Sequence, residues 1–135
     1  MEAEDGYNGF VDNKSELELV DDAAHVNWGG KWRVPTEKEV EELEQNCSYT
    51  WITKNGVNGV LATSNINGQS IFLPAAGYKY YNNYYGIGEE VRTWTSSLSS
   101  SFLPYCISGS EDWLFHSHSV TSREYGHTVR AVCPY

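Results

Sequence analysis

Tyr78, Tyr80, Tyr81, Tyr84 and Tyr85 fall within eight residues, interleaved with Lys79, Asn82 and Asn83 and closed by Gly86. So dense a run of phenols is hard to bury, because each hydroxyl taken out of water needs a partner. Strand alternation would bury Tyr78 and one neighbour and leave the others at the surface. Tyr, Ser, Asn and Gly are what binding loops favour: tyrosine supplies rigid contact area, the small polar residues adaptable hydrogen bonds. The second half repeats the theme with Ser99-Ser100-Ser101-Phe102, Tyr105, Trp113, His116, His118, Glu124-Tyr125 and His127. The candidate ligand-binding set is therefore Tyr80, Tyr81, Tyr84, Tyr85, Phe102, Tyr105, Trp113, His116, His118, Glu124, Tyr125 and His127. Such rings stack on sugar faces as readily as on protein, so glycan and protein ligands are both open. The plainer alternative is that they are ordinary sheet aromatics and polar loops.

Covalent chemistry has less support. Cys106 would need one of His25, His116, His118 or His127 beside it, and no nucleophile signature surrounds it. No catalytic residue is assigned and a non-enzymatic chain is expected. His116-Ser117-His118 puts two imidazoles on one face of a strand, a ligand-like spacing, but no third ligand is evident. Glu89-Glu90 and Glu111-Asp112 read as solvated turns rather than a calcium site. No metal and no cofactor is expected. Cys47, Cys106 and Cys133 are an odd number with no metal-ligand spacing, and buried thiols or one pair both remain open.

The net charge is −9, from 18 acids and 9 bases, and it is uneven. Residues 1–47 hold thirteen acids and four bases; residues 48–135 hold five of each. Neither part offers a basic groove to displace counterions from a phosphate backbone, so no nucleic-acid partner is expected. No apolar run approaches the roughly 18–20 residues of a membrane span. Met1-Glu2-Ala3-Glu4-Asp5 lacks the basic start and apolar core of a signal peptide, so the chain reads as unexported or as a domain of a longer precursor.

These residues must be positioned by a frame, and its centre is Trp28-Gly29-Gly30-Lys31-Trp32-Arg33-Val34-Pro35-Thr36. Residues 1–16 read as a polar arm that lays Tyr7 or Phe10 on the body, and residues 17–135 as one domain. Leu17 and Leu19 suggest a short strand. A first helix over 22–27 should end at Gly29-Gly30, and Trp28 and Trp32 should wedge between this unit and a sheet. Pro35 followed by the capping-box pattern Thr36-Glu37-Lys38-Glu39 predicts a second helix over 37–46, with Val40, Leu43 and Cys47 facing the core.

From Tyr49 the period becomes two. Strands are expected over 49–53, 60–63, 70–73, 91–96, 105–107, 113–119 and 128–133, with turns at Asn55-Gly56, Asn58-Gly59 and Asn67-Gly68 and a loop over 78–89. Trp51, Phe72, Leu73 and Trp94 are assigned to the core. Arg33 and Arg130, flanked by apolar neighbours, should bond carbonyls or a carboxylate near the helix–strand junction. Two helices followed by a meandering antiparallel sheet is an α+β domain.

Five separated stretches carry a family resemblance: WGGKWRVPT at 28–36, NCSYTWITKNGVNG at 46–59, SIFLPAAGY at 70–78, WTSS at 94–97 and YGHTVRAVCP at 125–134. Together they resemble the Fibrobacter major paralogous domain over residues 17–134. That family is similar to the C-type-lectin fold group, which includes formylglycine-generating enzymes and the variable proteins of diversity-generating retroelements. Val40 stands where the family commonly has tryptophan, Ala131 where it has proline, and 98–124 fits only loosely.

The resemblance implies two short helices packed on a small, mainly antiparallel twisted sheet with long loops, its first and last strands side by side. It implies a disulfide between Cys47 and Cys133, with Cys106 free. It implies a cell-surface or secreted module of a larger protein, an adhesin-like binder or a retroelement's variable protein diversified within 98–127. The alternatives it leaves are an enzyme of the formylglycine-generating type, or a degenerate relative, and a structural module of a surface assembly. None of the tripeptides of calcium-dependent sugar-binding lectins (Glu-Pro-Asn, Gln-Pro-Asp, Trp-Asn-Asp) occurs.

Overall fold

The computed structural model describes residues 14–99 and 103–134, so the expectations for Tyr7, Phe10 and Phe102 lie outside the described residues. Two helices come first, α1 (Ala23–Trp28) and α2 (Glu37–Asn46). The strands follow as β1 (Cys47–Lys54), β2 (Val57–Ser64), β3 (Ser70–Pro74), β4 (Tyr78–Tyr80), β5 (Asn83–Tyr85), β6 (Glu90–Leu98), β7 (Pro104–Ser110), β8 (His116–Val120) and β9 (Tyr125–Gly126). They form three antiparallel three-stranded sheets, ordered β1-β2-β3, β5-β4-β9 and β6-β7-β8. A parallel bridge, Thr93 to Thr128, lays the chain after β9 along β6. The molecule is a small α+β domain with two helices and mostly antiparallel sheets.

Local chemistry sets the elements. Asp22 caps α1, and Gly29, at φ 67°, takes the left-handed backbone that ends it. The Thr36 hydroxyl accepts from the Glu39 amide while the Glu39 carboxylate accepts from the Thr36 amide, closing the capping box of α2. Arg33 grips the same carboxylate at 2.8 and 2.6 Å and also reaches the Val34 carbonyl, as its neighbours suggested. That guanidinium holds the Glu39 carboxyl below its ordinary pKa. Asn55 and Gly56, both at positive φ (51° and 79°), make the two-residue turn that joins β1 to β2.

The core lies where α2 meets β2, β6 and β7. Val40, Val60, Leu73, Ala75, Val91, Ile107 and Phe115 are buried there, with Leu43, Tyr49, Trp51 and Ile71 packed around them. Tyr49 stacks on Phe115 with centroids 4.6 Å apart and gives its hydroxyl to the Leu43 carbonyl at 2.6 Å. Asp22 is the buried acid of the frame, and its second oxygen accepts from the Val34 amide at 2.8 Å.

Several expectations are corrected. The described residues form not one sheet but three. Trp28 and Trp32 do not wedge into the core: they are 60 % and 42 % exposed and pack edge-on against each other at 6.0 Å. A six-residue helix ends before it can carry an apolar stripe inward, and its buried face is Ala24. Residues 78–89 are not all loop, because β4 and β5 form a hairpin there. Asn58-Gly59 lies inside β2 rather than in a turn. Leu17 and Leu19 are exposed, and only Glu16 makes a bridge, to Ser97. Residues 128–133 form isolated bridges at Thr128 and Val132 rather than a strand, and among the described residues no first strand lies beside them.

The Cys47–Cys133 disulfide is also absent, since all three cysteines are free. Val132 bridges Arg33, before α2 begins, whereas Cys47 follows its last residue. Ten helical residues span about 15 Å, more than twice the Cα separation a disulfide tolerates. Arg130 is exposed and makes no hydrogen bond or ion pair among the described residues, because no continuous strand brings it to the helix–strand junction.

Candidate functional site

The tyrosine hairpin is made possible by Gly77. At φ 67°, a Cβ there would overlap the Tyr85 carbonyl oxygen, so β4 and β5 close this tightly only with glycine at their root. Register then sorts the rings. Tyr78 faces Tyr85, Tyr80 faces Asn83, and β9 adds Tyr125 opposite Tyr80. Tyr78 and Tyr85 stack at 5.5 Å, Tyr80 and Tyr125 at 4.7 Å, and Tyr78 meets Tyr125 edge-on at 5.5 Å. Lys79 and Tyr84 pair across the hairpin on its other face, the ammonium 5.6 Å from the ring centre. Four of the five clustered tyrosines thus belong to one platform and Tyr84 does not.

Tyr81 occupies the turn with φ 50°, a left-handed backbone that costs a bulky residue about 1–2 kcal/mol. Its ring is 72 % exposed and leans on Tyr80 at 4.5 Å. Hydrogen bonding to Tyr81, and more weakly the nearby Glu124 carboxylate, raise the Tyr80 hydroxyl above its ordinary pKa. Glu124 itself is exposed, in the turn that leads from Ser122 into Tyr125.

His127 lies at the back of the platform, on Trp94 at 4.3 Å and near Tyr78 and Tyr125 at 6.2 Å each. Among the described residues neither ring nitrogen has a hydrogen-bond partner. Burial, and then the charge of Arg92, push its pKa down to about 4. Arg92 ties the platform to the segment between β7 and β8: its guanidinium sits 5.6 Å from the Tyr78 ring centre and 6.0 Å from that of Trp113, with Nε bonded to Glu90 at 2.9 Å. Trp113 in turn tilts against His116 at 5.6 Å. Sequence reasoning missed Arg92, although alternation along Val91-Arg92-Thr93-Trp94 already puts it on the same strand face as Trp94.

His118 belongs elsewhere. Its Nε2 lies 3.1 Å from Glu37 and 2.7 Å from Glu41, on α2, and Tyr105 meets the ring edge-on at 6.0 Å. Its Nδ1 is 2.7 Å from the Ser117 hydroxyl, which bonds Glu44. A Ser–His–Glu chain of contacts suggests a nucleophile, but Ser117 is 1 % exposed and gives its hydrogen to Glu44. Cys106 is fully buried, its thiol pKa raised by that burial, and no histidine bonds it among the described residues. A separate open groove of about 530 Å³ is lined by Lys54, Val57, Ile71, Phe72, Pro74 and Arg130. No alternation signal could have joined these, since Arg130 arrives from the far end of the chain. No helix of the described residues is long and apolar enough to cross a membrane.

No protein-family model, curated protein or solved structure matches the chain.

Proposed function

We propose that this chain is a non-enzymatic, adhesin-like domain of C-type-lectin-like architecture that binds a glycan or protein ligand on the ring platform of Tyr80, Tyr81, Tyr85 and Tyr125. Trp113, His116 and His127 border that platform. One observation carries the reading: rings from 78–85 and 125–127 meet in continuous contact, with Arg92 linking them to Trp113, while Tyr81 and Tyr85 stay open to solvent. The strained backbone of Tyr81 adds to it, since a residue kept at such a cost for display points to function rather than folding. The resemblance to the Fibrobacter major paralogous domain supports a setting at a bacterial surface or in a secreted protein.

Diversification of the retroelement kind would be confined within 98–127 to Trp113, His116, Glu124 and Tyr125 and their exposed neighbours. Cys106, Ile107, Ser108, Phe115 and Ser117 are buried and not free to vary.

The test is a glycan and protein array probed with the wild type, the double variant Tyr81→Ala/Tyr85→Ala and the single variant Tyr84→Ala. Two lost ring contacts should weaken every wild-type signal by about tenfold or more. Tyr84→Ala, on the opposite face of the same hairpin, should keep them. Equal signals from all three proteins would remove the platform from the account.

A further inference from the structure

His118 reaches from β8 to two acids of α2 while its other ring nitrogen is already engaged. Ser117 has one hydroxyl hydrogen, and it is committed to the Glu44 carboxylate, which can only accept. The 2.7 Å contact between the Ser117 hydroxyl and His118 Nδ1 must then take its hydrogen from the ring. A neutral His118 therefore carries its proton on Nδ1 and points a bare Nε2 lone pair at two carboxylate oxygens, 3.1 and 2.7 Å away. An imidazole nitrogen and two carboxylate oxygens converging in this way are a donor set that a metal ion can join.

We propose that Glu37, Glu41 and His118 bind one divalent transition-metal ion of the zinc type. Their donor atoms lie within 4.8 Å of one another, and a tetrahedral zinc with bonds near 2 Å holds its donors roughly 3.3 Å apart. Small side-chain shifts would seat the ion. Glu37 and Glu41 stand four apart on α2 and so project from one face, while β8 brings His118 across to them. Ser117 and Glu44 act as the outer shell that fixes the ring with Nε2 outward, the role a metal-bound histidine's second nitrogen normally serves. Half of the His118 side chain is exposed, which leaves a coordination position for water. One imidazole and two carboxylates suit zinc, cobalt or nickel, whereas calcium seeks six to eight oxygens. The site shares no residue with the platform of Tyr80, Tyr81, Tyr85 and Tyr125, so either can fail without the other.

The whole chain, stripped with a chelator, is titrated calorimetrically with Zn²⁺ and with Ca²⁺, and its Co²⁺ complex is examined by absorption. One equivalent of Zn²⁺ should bind and raise the melting temperature, with no competition from Ca²⁺. His118→Ala and Glu37→Gln/Glu41→Gln should each lose about 100-fold or more in affinity, and Ser117→Ala about tenfold. The metal-free variants must melt within a few degrees of the metal-free wild type for these losses to count. The Co²⁺ spectrum should lack a thiolate charge-transfer band. A thiolate band, Zn²⁺ affinity unchanged in His118→Ala, or no saturable binding to the wild type would each overturn the site.

Discussion

Asp22→Ala is expected to destabilise the domain by about 3 kcal/mol, the largest loss from any single polar side chain of the frame. One carboxylate oxygen accepts from Ala24 and His25, at 2.8 and 3.1 Å, and so caps α1. The other accepts from Val34 at 2.8 Å, twelve residues on. Asp22 therefore ties the start of one helix to the residue that leads into the next, and it is 2 % exposed. Losing an N-cap costs about 1 kcal/mol, and stranding the buried Val34 amide costs about 1–3 kcal/mol more. An asparagine in its place would restore the cap but turn an amide hydrogen toward the Val34 amide, so Asp22→Asn should lose about 2 kcal/mol. Urea unfolding at unchanged m-value reads both, and a loss below about 1 kcal/mol for Asp22→Ala would mean that the Val34 bond carries nothing.

The second large effect is a pH dependence centred on His127. In the folded domain its pKa falls to about 4, from an ordinary 6.5. Between those values the unfolded chain binds the proton and the folded one does not, so stability rises with pH across the window. The contribution is complete above pH 6.5, and up to about 3 kcal/mol of it is lost as the pH falls toward 4. Carboxylates titrate in the lower part of the same range, so the informative quantity is the difference from His127→Phe, which keeps a ring against Trp94 but cannot ionise. Wild-type stability should fall relative to that variant from about pH 6.5 to about pH 4.5. Parallel pH profiles would show that His127 accepts its proton without cost.

The frame was the most legible part of the sequence, because its signals are local. Pro35 and the Thr36–Glu39 reciprocal cap announce α2 from 37 to 46, and Asn55-Gly56 announces its hairpin. Asp22 was legible as a helix start but not as the anchor of Val34, since that contact depends on how the chain reverses at Gly29-Gly30. Trp28 and Trp32 misled for the opposite reason: large apolar rings imply a core, yet the short α1 gives them no face to bury. The crowding of tyrosines was visible, but the division between platform and Tyr84 is a matter of register and needed β9 as its third strand. His116 and His118 shared a strand face in the sequence. Packing against α2 separated their roles, drawing His118 to Glu37 and Glu41 and leaving His116 with Trp113.

Hydrogen–deuterium exchange of the intact chain with its strongest array ligand tests the platform most directly. Protection should appear on backbone amides at 78–85 and 125–127, with a smaller change at 113–116, and the Lys54–Phe72–Arg130 groove should exchange as it does in the free protein. Protection of 54–57 and 70–74 with an unchanged tyrosine hairpin would contradict the account and move the binding site to that groove.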